Sequence, residues 1–211
     1  AKHFNEKVAM DLKKWNSRWI LHMIDMFTRF TLSVFVDRKF SGCIIDKVVE
    51  NWIGTFGVMK AVMTDNGGEF NNEEMNVEVV TTAAESPFQN GLCEKVHSIT
   101  DGMLTKLKAD HPKAKENVLL KWANMARNSL QMWCGYSSHQ LVFGVSPNLP
   151  NILTDNIAAL DGTTASKTFA EHINYWHECR KAFIACEADE RIRRALRNRI
   201  RASEELYHSG D

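Results

Sequence analysis

Three acidic residues in separate segments of the chain could act together on a phosphate group. Asp65 lies in the sequence TDNGGEF, directly after an apolar run, and the Asn-Gly-Gly turn places its carboxylate at the end of a strand. Glu94 lies in SPFQNGLCEKVH, where it opens a predicted long helix, and Asp11 lies in the early apolar segment KVAMDL. Carboxylates from three elements are the ligands that two divalent metal ions need for phosphoryl transfer. The sequence therefore indicates metal-dependent chemistry on a phosphate ester.

The elements that must position these carboxylates follow from the hydrophobic pattern. We predict an antiparallel meander of strands in three short apolar-rich runs, residues 7–12, 19–25 and 31–36. Apolar residues then recur at helical spacing over residues 41–56, with Ser41 as a candidate N-cap and Gly57 as a stop, and a strand to Thr64 follows. This order of elements is the one that an α/β sheet needs.

The second half of the chain is predicted to be mainly helical. A helix begins at residues 72–75, and the β-branched run VEVVTT at residues 77–82 predicts one more strand. Further helices are predicted at residues 92–109, 117–134 and 168–207. We divide the chain into a core-like domain (1–150), a polar linker (151–167) and a helical extension (168–211).

The three acidic segments resemble the catalytic core of retroviral and retrotransposon integrases over about residues 4–150. The signature of that family is an aspartate in the first strand, a second in a T-D-N-G turn, and a glutamate that opens the helix after a P-x-x-Q-x-G-type segment. These positions are Asp11, Asp65 and Glu94 here. The resemblance implies an RNase H-like mixed β-sheet with flanking helices, a two-metal site for Mg²⁺ or Mn²⁺ on the three carboxylates, and cleavage and joining of DNA strands.

One feature departs from the family's pattern. Between Asp65 and Glu94 lie 28 residues, whereas the family has roughly 35, so that about two helical turns are missing. A second interpretation therefore stays open, in which the domain is catalytically degenerate and is retained for nucleic-acid binding or assembly. A third, an RNA-cleaving relative with the same fold, is less favoured because the TDNGGEF and SPFQNG segments are integrase-like.

The metal ligands also have competing candidates. Asp25, in IDMFTRF, is the alternative to Asp11 as the first carboxylate, because it ends the second predicted strand. Glu85 is the alternative to Glu94, although it precedes a proline in a loop. His97 lies one helical turn after Glu94 and could add a nitrogen ligand, but a histidine that faces solvent or DNA is the preferred interpretation.

Two groups of residues are predicted to contact DNA. The amides close to the acidic segments, Asn66, Gln89 and Asn90, match positions that flank the active site in the family. Near the carboxyl end, a helix would bring Arg194, Arg197 and Arg201 onto one face for phosphate contact. The alternative for these arginines is a solvated helix with ion pairs, because Glu187 and Glu190 precede basic residues at the favourable i,i+4 spacing.

The composition of the chain bears on how it would bind DNA and on the cellular compartment in which we expect it. With 26 basic and 26 acidic residues the formal net charge is zero, so DNA affinity must come from local patches. Five scattered cysteines without a C-x-x-C motif favour a reducing, intracellular compartment, and a DNA substrate favours the nucleus. No apolar run is long enough to span a membrane, and the His and Cys residues of the last predicted helix do not have zinc-site spacing. We expect DNA as the partner, and the resemblance allows a homo-oligomer.

Overall fold

The computed structural model describes residues 1–64, 78–81, 87–147 and 167–197. In these residues the chain forms, in order, β1 (Lys7–Trp15), β2 (Arg18–Asp25), β3 (Thr31–Val36), α1 (Ser41–Val48), a π-helical turn (Val49–Ile53), α2 (Gly54–Phe56), β4 (Ala61–Thr64), β5 (Glu78–Thr81), α3 (Pro87–Asp110), α4 (Glu116–Leu130), β6 (Met132–Trp133), β7 (Tyr136–Ser137), α5 (Ser138–Phe143) and α6 (Lys167–Arg197).

The main sheet has five strands in the order β3-β2-β1-β4-β5. The first three strands form an antiparallel meander, whereas β4 and β5 run parallel to β1. β1 is therefore the central strand, with an antiparallel neighbour on one side and a parallel neighbour on the other. The predicted α/β architecture, a mixed sheet with flanking helices and a helix toward the carboxyl end, is confirmed.

Apolar side chains cover both faces of this sheet. On one face Met10 and Leu21 pack against Trp52 of the π-helical turn, within one buried cluster. On the other face Ala9 packs against Val96 of α3. A further buried cluster joins this second face to three helices, α3, α4 and α6, and includes Trp15, Ile20, Met103, Leu119, Trp176 and Phe183. The apolar layer on the α3 face of the sheet is therefore thicker than the layer on the face that α1 and the π-helical turn cover.

The structure corrects several predicted boundaries. The helix predicted over residues 41–56 contains the π-helical turn, and its N-cap is Phe40, which makes no side-chain capping bond. The helix predicted over residues 117–134 ends at Leu130, because Gln131 is extended (φ −71°, ψ 113°). The β6–β7 hairpin follows, and Cys134 (φ 52°) and Gly135 (φ 86°) form its turn. The predicted helix at 72–75 and residues 151–166 of the predicted linker (151–167) lie outside the described residues, and Lys167 already belongs to α6.

Two asparagines of α4 complete the hydrogen bonding of the edge strand β3. The side-chain amide of Asn124 accepts from the Ser33 N–H at 3.1 Å and donates to the Ser33 carbonyl at 2.8 Å. One turn later, Asn128 makes the same pair of bonds with Thr31, at 2.9 and 2.8 Å. Each amide takes the place of a backbone peptide in a neighbouring strand, so α4 is fixed in register with the sheet.

We expect Asn124→Leu to destabilise the protein by about 2–4 kcal/mol, because it leaves a buried N–H and a buried C=O of Ser33 without partners. Urea unfolding of both proteins measures this loss. Asn117→Ala, at an exposed position of the same helix, is the matched control and should cost less than about 0.5 kcal/mol. Equal losses in the two variants would contradict a structural role for the Asn124 amide.

Candidate active site

Asp11 lies on the face of β1 that α3 covers. Its carboxylate accepts a hydrogen bond at Oδ1 from the N–H of Leu12 at 2.8 Å. The other oxygen, Oδ2, lies 3.3 Å from Nε2 of His97 in α3. The side chain is 25% exposed, so it is held by the protein on one side and open to solvent on the other. This is the exposure that a carboxylate needs in order to bind a cation or a substrate.

The second predicted carboxylate, Asp65, lies outside the described residues, as do Asn66 and Glu85. The last described residue before Asp65 is Thr64 at the end of β4, and Thr64 pairs with Met10 in the parallel register. Met10 in turn directly precedes Asp11. The described part of β4 therefore ends level with the residue before the first carboxylate.

Glu94 lies in the second turn of α3, with an exposed side chain. α3 begins at Pro87, five residues earlier than predicted, so Glu94 does not open the helix. One turn after Glu94, His97 contacts Asp11, and one turn later Asp101 forms an ion pair with Lys13 at 2.7 Å. α3 therefore runs along β1 in the same direction, and Glu94 lies one helical turn before the residue that contacts Asp11.

Asp25, the competing candidate for the first carboxylate, has a different environment. It is completely buried and accepts hydrogen bonds from the backbone N–H groups of Asn5, Phe27 and Thr28, at 2.9, 3.1 and 2.7 Å, and from the Thr28 hydroxyl at 2.8 Å. It pairs across the sheet with Val8, three residues from Asp11. Because side chains alternate between faces, Asp25 and Asp11 point to opposite sides of the sheet. Asp25 stabilises the β2–β3 turn.

A row of polar side chains crosses the sheet from Asp11. In register, Asp11 pairs with His22 of β2, and His22 pairs with Ser33 of β3. Nδ1 of His22 lies 2.8 Å from the Ser33 hydroxyl, and the rings of His22 and His97 are 4.5 Å apart between centroids. His97 is 7% exposed, so the preferred prediction that it faces solvent or DNA is wrong. The row was not predicted, although single polar residues inside two otherwise apolar strands indicate it.

Burial keeps both histidines of this row uncharged at neutral pH. Desolvation lowers the pKa of His22 well below its usual range, and electrostatic interactions with His97, Arg127 and Lys13 lower it further. Desolvation, followed by Lys13 and Arg127, lowers the pKa of His97 to about 4. Arg127 is itself buried, and desolvation lowers its pKa to about 10. Its guanidinium donates to the carbonyl of Val96 at 3.4 Å, which ties α4 to α3 beside His97.

The predicted DNA-contact residues fall into two places. Gln89 and Asn90 belong to the first turn of α3, a short distance before Glu94 in the chain. Arg194 and Arg197 belong to the last turns of α6, and Arg201 lies outside the described residues. The exposed Arg194 pairs with Glu190 at 3.8 Å, as the ion-pair alternative predicts. The structure therefore brings Gln89, Asn90 and Glu94 onto one helix and leaves the arginines on another.

The basic residues at the end of α6 act electrostatically on Lys95 of α3. Lys95, which follows Glu94, is half-buried, and burial lowers its pKa. The charges of Arg194, Arg127 and Arg191 lower that pKa further, and only Glu187 acts in the opposite direction. Arg191 and Arg194 are thus close enough to Lys95 to lower its pKa.

No metal cluster is found in the part of the chain that the structure describes, where no three His, Cys, Asp or Glu side chains converge. On α6, His172 accepts a hydrogen bond from the Trp122 indole at 3.1 Å, and Cys179 and Cys186 are buried. Burial raises the pKa of both thiols. Among the described helices, none is long and apolar enough to cross a membrane.

The strand order of the main sheet is that of an RNase H-like fold, and Asp11 lies on its central strand. Comparison with solved structures shows that this fold is similar to that of retroviral integrase catalytic cores, which confirms the resemblance. The integrase catalytic core domain of HTLV-2, solved with magnesium in a dimeric form, superposes with a TM-score of 0.56 at 19% identity, over 66% of this chain and 97% of that chain. The catalytic core domain of BIV integrase gives a TM-score of 0.51 at 15% identity, over 64% and 92%.

Two longer proteins are also similar. A chain of the simian T-cell lymphotropic virus intasome, solved in complex with PP2A regulatory subunit B56 gamma, gives a TM-score of 0.61 at 22% identity and covers 71% of this chain. The Pro-Pol polyprotein of feline foamy virus is 28% identical over 145 residues, or 62% of this chain. The matches span 58% of the intasome chain and 12% of the polyprotein. No protein-family model matches the chain.

We expect the buried histidines to make the protein less stable below neutral pH. Their folded-state pKa is lowered, so the unfolded chain takes up protons first, as the pH falls through about 6.5, and stability is complete only above that value. Each pH unit below it costs up to about 1.4 kcal/mol per buried histidine. Urea unfolding at pH 7 and pH 5 measures the loss.

In this experiment His22→Gln should reduce the difference in unfolding free energy between the two pH values, because one buried titrating group is gone. His3→Gln removes an exposed histidine and is the control. A His22→Gln protein that loses as much stability as the wild type between pH 7 and pH 5 would show that burial of His22 is not the cause.

Proposed function

We propose that the chain is the catalytic core of a retroelement integrase that cleaves and joins DNA strands with divalent metal ions. The observation that carries this proposal is the position of Asp11. It is a partly exposed carboxylate on the central strand of an integrase-type sheet, and it contacts the helix that carries Glu94. Asp65 supplies the third carboxylate in the proposal, because it follows the strand that is paired with β1.

The described donors fit a hard divalent cation. Mg²⁺ and Mn²⁺ prefer oxygen ligands, and Asp11 and Glu94 offer carboxylate oxygens at a surface that is open to solvent. His97, which lies 3.3 Å from Asp11, is neutral at pH 7 and adds no positive charge that would repel a cation. In the proposal Asp11, Asp65 and Glu94 hold the metal ions, as magnesium accompanies the HTLV-2 core.

The metal ions and the protein would have separate roles in the proposed reaction. When bound, two such ions would activate the attacking oxygen and stabilise the leaving oxygen of a phosphodiester. The protein fixes Asp11 on a strand and Glu94 on a helix, which hold them more precisely than loops would. No covalent intermediate with the protein is required in this reaction.

Basic side chains near α3 support DNA as the substrate. Lys95 directly follows Glu94, and Arg191 and Arg194 approach it from α6. Phosphate contacts of this kind position a strand without reading its sequence. We infer that the DNA backbone lies along these residues, with Gln89 and Asn90 at the start of α3 as further contacts. Arg191 and Arg194 are exposed in their ion pairs with Glu187 and Glu190, so phosphate can replace the glutamates as their partners.

A second candidate function follows from the short interval between Asp65 and Glu94. If the missing turns displace one carboxylate, the domain would bind nucleic acid or assemble with other chains without cleaving DNA. The HTLV-2 core is known in dimeric and trimeric forms, and assembly as a homo-oligomer is part of either proposal. Activity on DNA and a nuclear location distinguish the first candidate from the second.

We expect the isolated chain to resolve branched DNA that mimics a joined integration product, and to do so better with Mn²⁺ than with Mg²⁺. Such a substrate already holds the phosphate and the 3′-hydroxyl in line, so it supplies the orientation that the rest of a larger assembly would provide. Gel analysis of a labelled branched substrate measures the reaction. Asp11→Asn, Asp65→Asn or Glu94→Gln should each abolish it.

Two aspartates serve as controls in this assay. Asp37→Asn changes an exposed aspartate after β3 and should retain full activity. Asp25→Asn should lower stability but retain activity per folded molecule, because Asp25 serves the β2–β3 turn. Loss of turnover in Asp25→Asn with turnover retained in Asp11→Asn would refute the ligand assignment, and a folded, inactive wild type would favour the non-catalytic candidate.

A separate prediction concerns the basic side chains. Changing Lys95, Arg191 and Arg194 together to Gln should weaken binding to all DNA sequences alike and flatten the slope of log affinity against log salt by roughly one unit per lost contact. Fluorescence anisotropy over a range of salt concentrations measures the slope. Lys181→Gln, at an exposed position earlier on α6, is the matched control. An unchanged slope in the triple variant would leave ion pairing as the role of these arginines.

A further inference from the structure

The second half of α6 carries a row of exposed apolar side chains. Ile184, Ile192 and Leu196 are exposed, Ile192 by 58% and Leu196 by 76%, and the exposed Ala188 lies between them in the chain. These residues recur at every fourth position, so they lie along one side of the helix and are called the α6 stripe below. Single exposed apolar residues are common on protein surfaces, but a continuous row of them indicates an interaction surface.

The α6 stripe faces away from the rest of the domain. The other side of α6 carries Cys179, Phe183 and Cys186, which are buried in the cluster that α6 shares with α3 and α4. Cys186 packs so closely against α3 that a Cβ added to Gly102 would lie 2.8 Å from its Sγ. α6 is therefore held on the domain by one side, and the stripe on the other side is open to a partner.

The α6 stripe is complementary to a second copy of itself when the two helices run antiparallel. In an arrangement with a two-fold axis at Glu190, midway between Ile184 and Leu196, Ile184 lies opposite the partner's Leu196. In the same register Ala188 lies opposite the partner's Ile192, so a small side chain meets a larger one. Each of these contacts occurs twice in a two-fold interface. The apolar residues of the stripe thus meet one another and not charged groups.

The order of charges along α6 also favours the antiparallel orientation. An acidic segment (187–190) directly precedes a basic segment (191–194). Two parallel helices in register would place like charges side by side, whereas antiparallel helices place each acidic segment beside the partner's basic segment. Asp189 and Arg193 lie seven and three positions before Leu196, hence on the same edge of the stripe. In the antiparallel register Asp189 comes within about 3 Å, measured along the axis, of the partner's Arg193.

Within one copy, Asp189 and Arg193 have partners that they can exchange. Asp189 lies 3.7 Å from Lys106 of α3, and Arg193 lies 3.6 Å from Glu190. The side chains of Asp189 and Arg193 are themselves largely exposed, and ion pairs of exposed side chains contribute little to stability. Replacing these pairs by a pair between two copies therefore costs little.

We propose that two copies of this chain associate through the α6 stripe, with antiparallel α6 helices and with Asp189 of each copy paired with the partner's Arg193. This pairing rests on the homo-oligomer assembly that the proposed function includes, but it requires neither metal binding nor DNA cleavage. It uses none of the basic residues assigned to DNA contact. A few helical turns bury less surface than the interface of a stable dimer, so the association is reversible and is measured at high protein concentration.

Charge reversal tests the antiparallel pairing. In a pair of identical copies, Asp189→Arg or Arg193→Asp places like charges opposite each other, and we expect each variant to associate at least about 10-fold more weakly than the wild type. A mixture of the two variants restores opposite charges at both contacts, so mixed pairs should form with nearly wild-type affinity. Sedimentation equilibrium of the full chain, without metal ions or DNA, measures the association.

Ile192→Asp tests the apolar part of the interface and should weaken association by a similar factor, because it places a charge at the centre of the α6 stripe. Val58→Asp, which changes an exposed valine before β4, is the matched control and should associate as the wild type does. Circular dichroism checks that all variants are folded.

Three results would refute the pairing: a wild type that stays monomeric up to about 1 mM, association that Ile192→Asp does not weaken, or a mixture of the charge variants that associates no better than either variant alone. Since metal ions and DNA are absent from this experiment, none of these results would affect the test of the proposed function with branched DNA. Loss of branched-DNA resolution would, in turn, leave the pairing of α6 intact.

Discussion

The alternation of side chains along the central strand β1 determines where every other part of the site can lie. Met10 and Leu12 point into the apolar layer under α1 and the π-helical turn, so Asp11 between them must point to the side of α3. A shift of one residue in the pairing with β2 would exchange the two sets and bury the carboxylate among apolar side chains. The antiparallel register with β2 and the parallel register with β4 both oppose such a shift.

The same constraint explains why polar residues are tolerated beneath α3. Once Asp11 faces this side, its cross-strand neighbours His22 and Ser33 must face it too. Isolated in an apolar layer, each would carry a desolvation cost of the order of a few kcal/mol. They are instead placed next to one another and next to His97, and Arg127 joins α3 to α4 at the same depth. The position of Asp11 at the surface and that of the polar layer below it both follow from the register of the sheet.

The sequence contained most of the fold but only part of the site. Strands and helices with strong periodicity, such as residues 31–36 and the helix that ends before Gly57, were predictable because local hydrophobic spacing decides them. The distinction between Asp11 and Asp25 could be drawn only from the family resemblance. Spacing does not reveal that Asp25 is enclosed by four donors or that the two carboxylates face opposite sides. The contact of His97 with Asp11 was equally hidden, because it depends on how α3 lies across β1.

The amides of Asn124 and Asn128 have a consequence for how the sheet can meet other molecules. Exposed edge strands can accept a foreign strand through their free backbone groups, which leads to strand exchange or fibrous association. At Thr31 and Ser33 of β3, those groups are already occupied by side chains of the same molecule. Strand addition at this edge would first require α4 to detach, and with it Arg127 and the polar layer under the carboxylates. The hydrogen bonds of Asn124 and Asn128 that oppose strand addition at β3 therefore also oppose the distortion of the site that strand addition would cause.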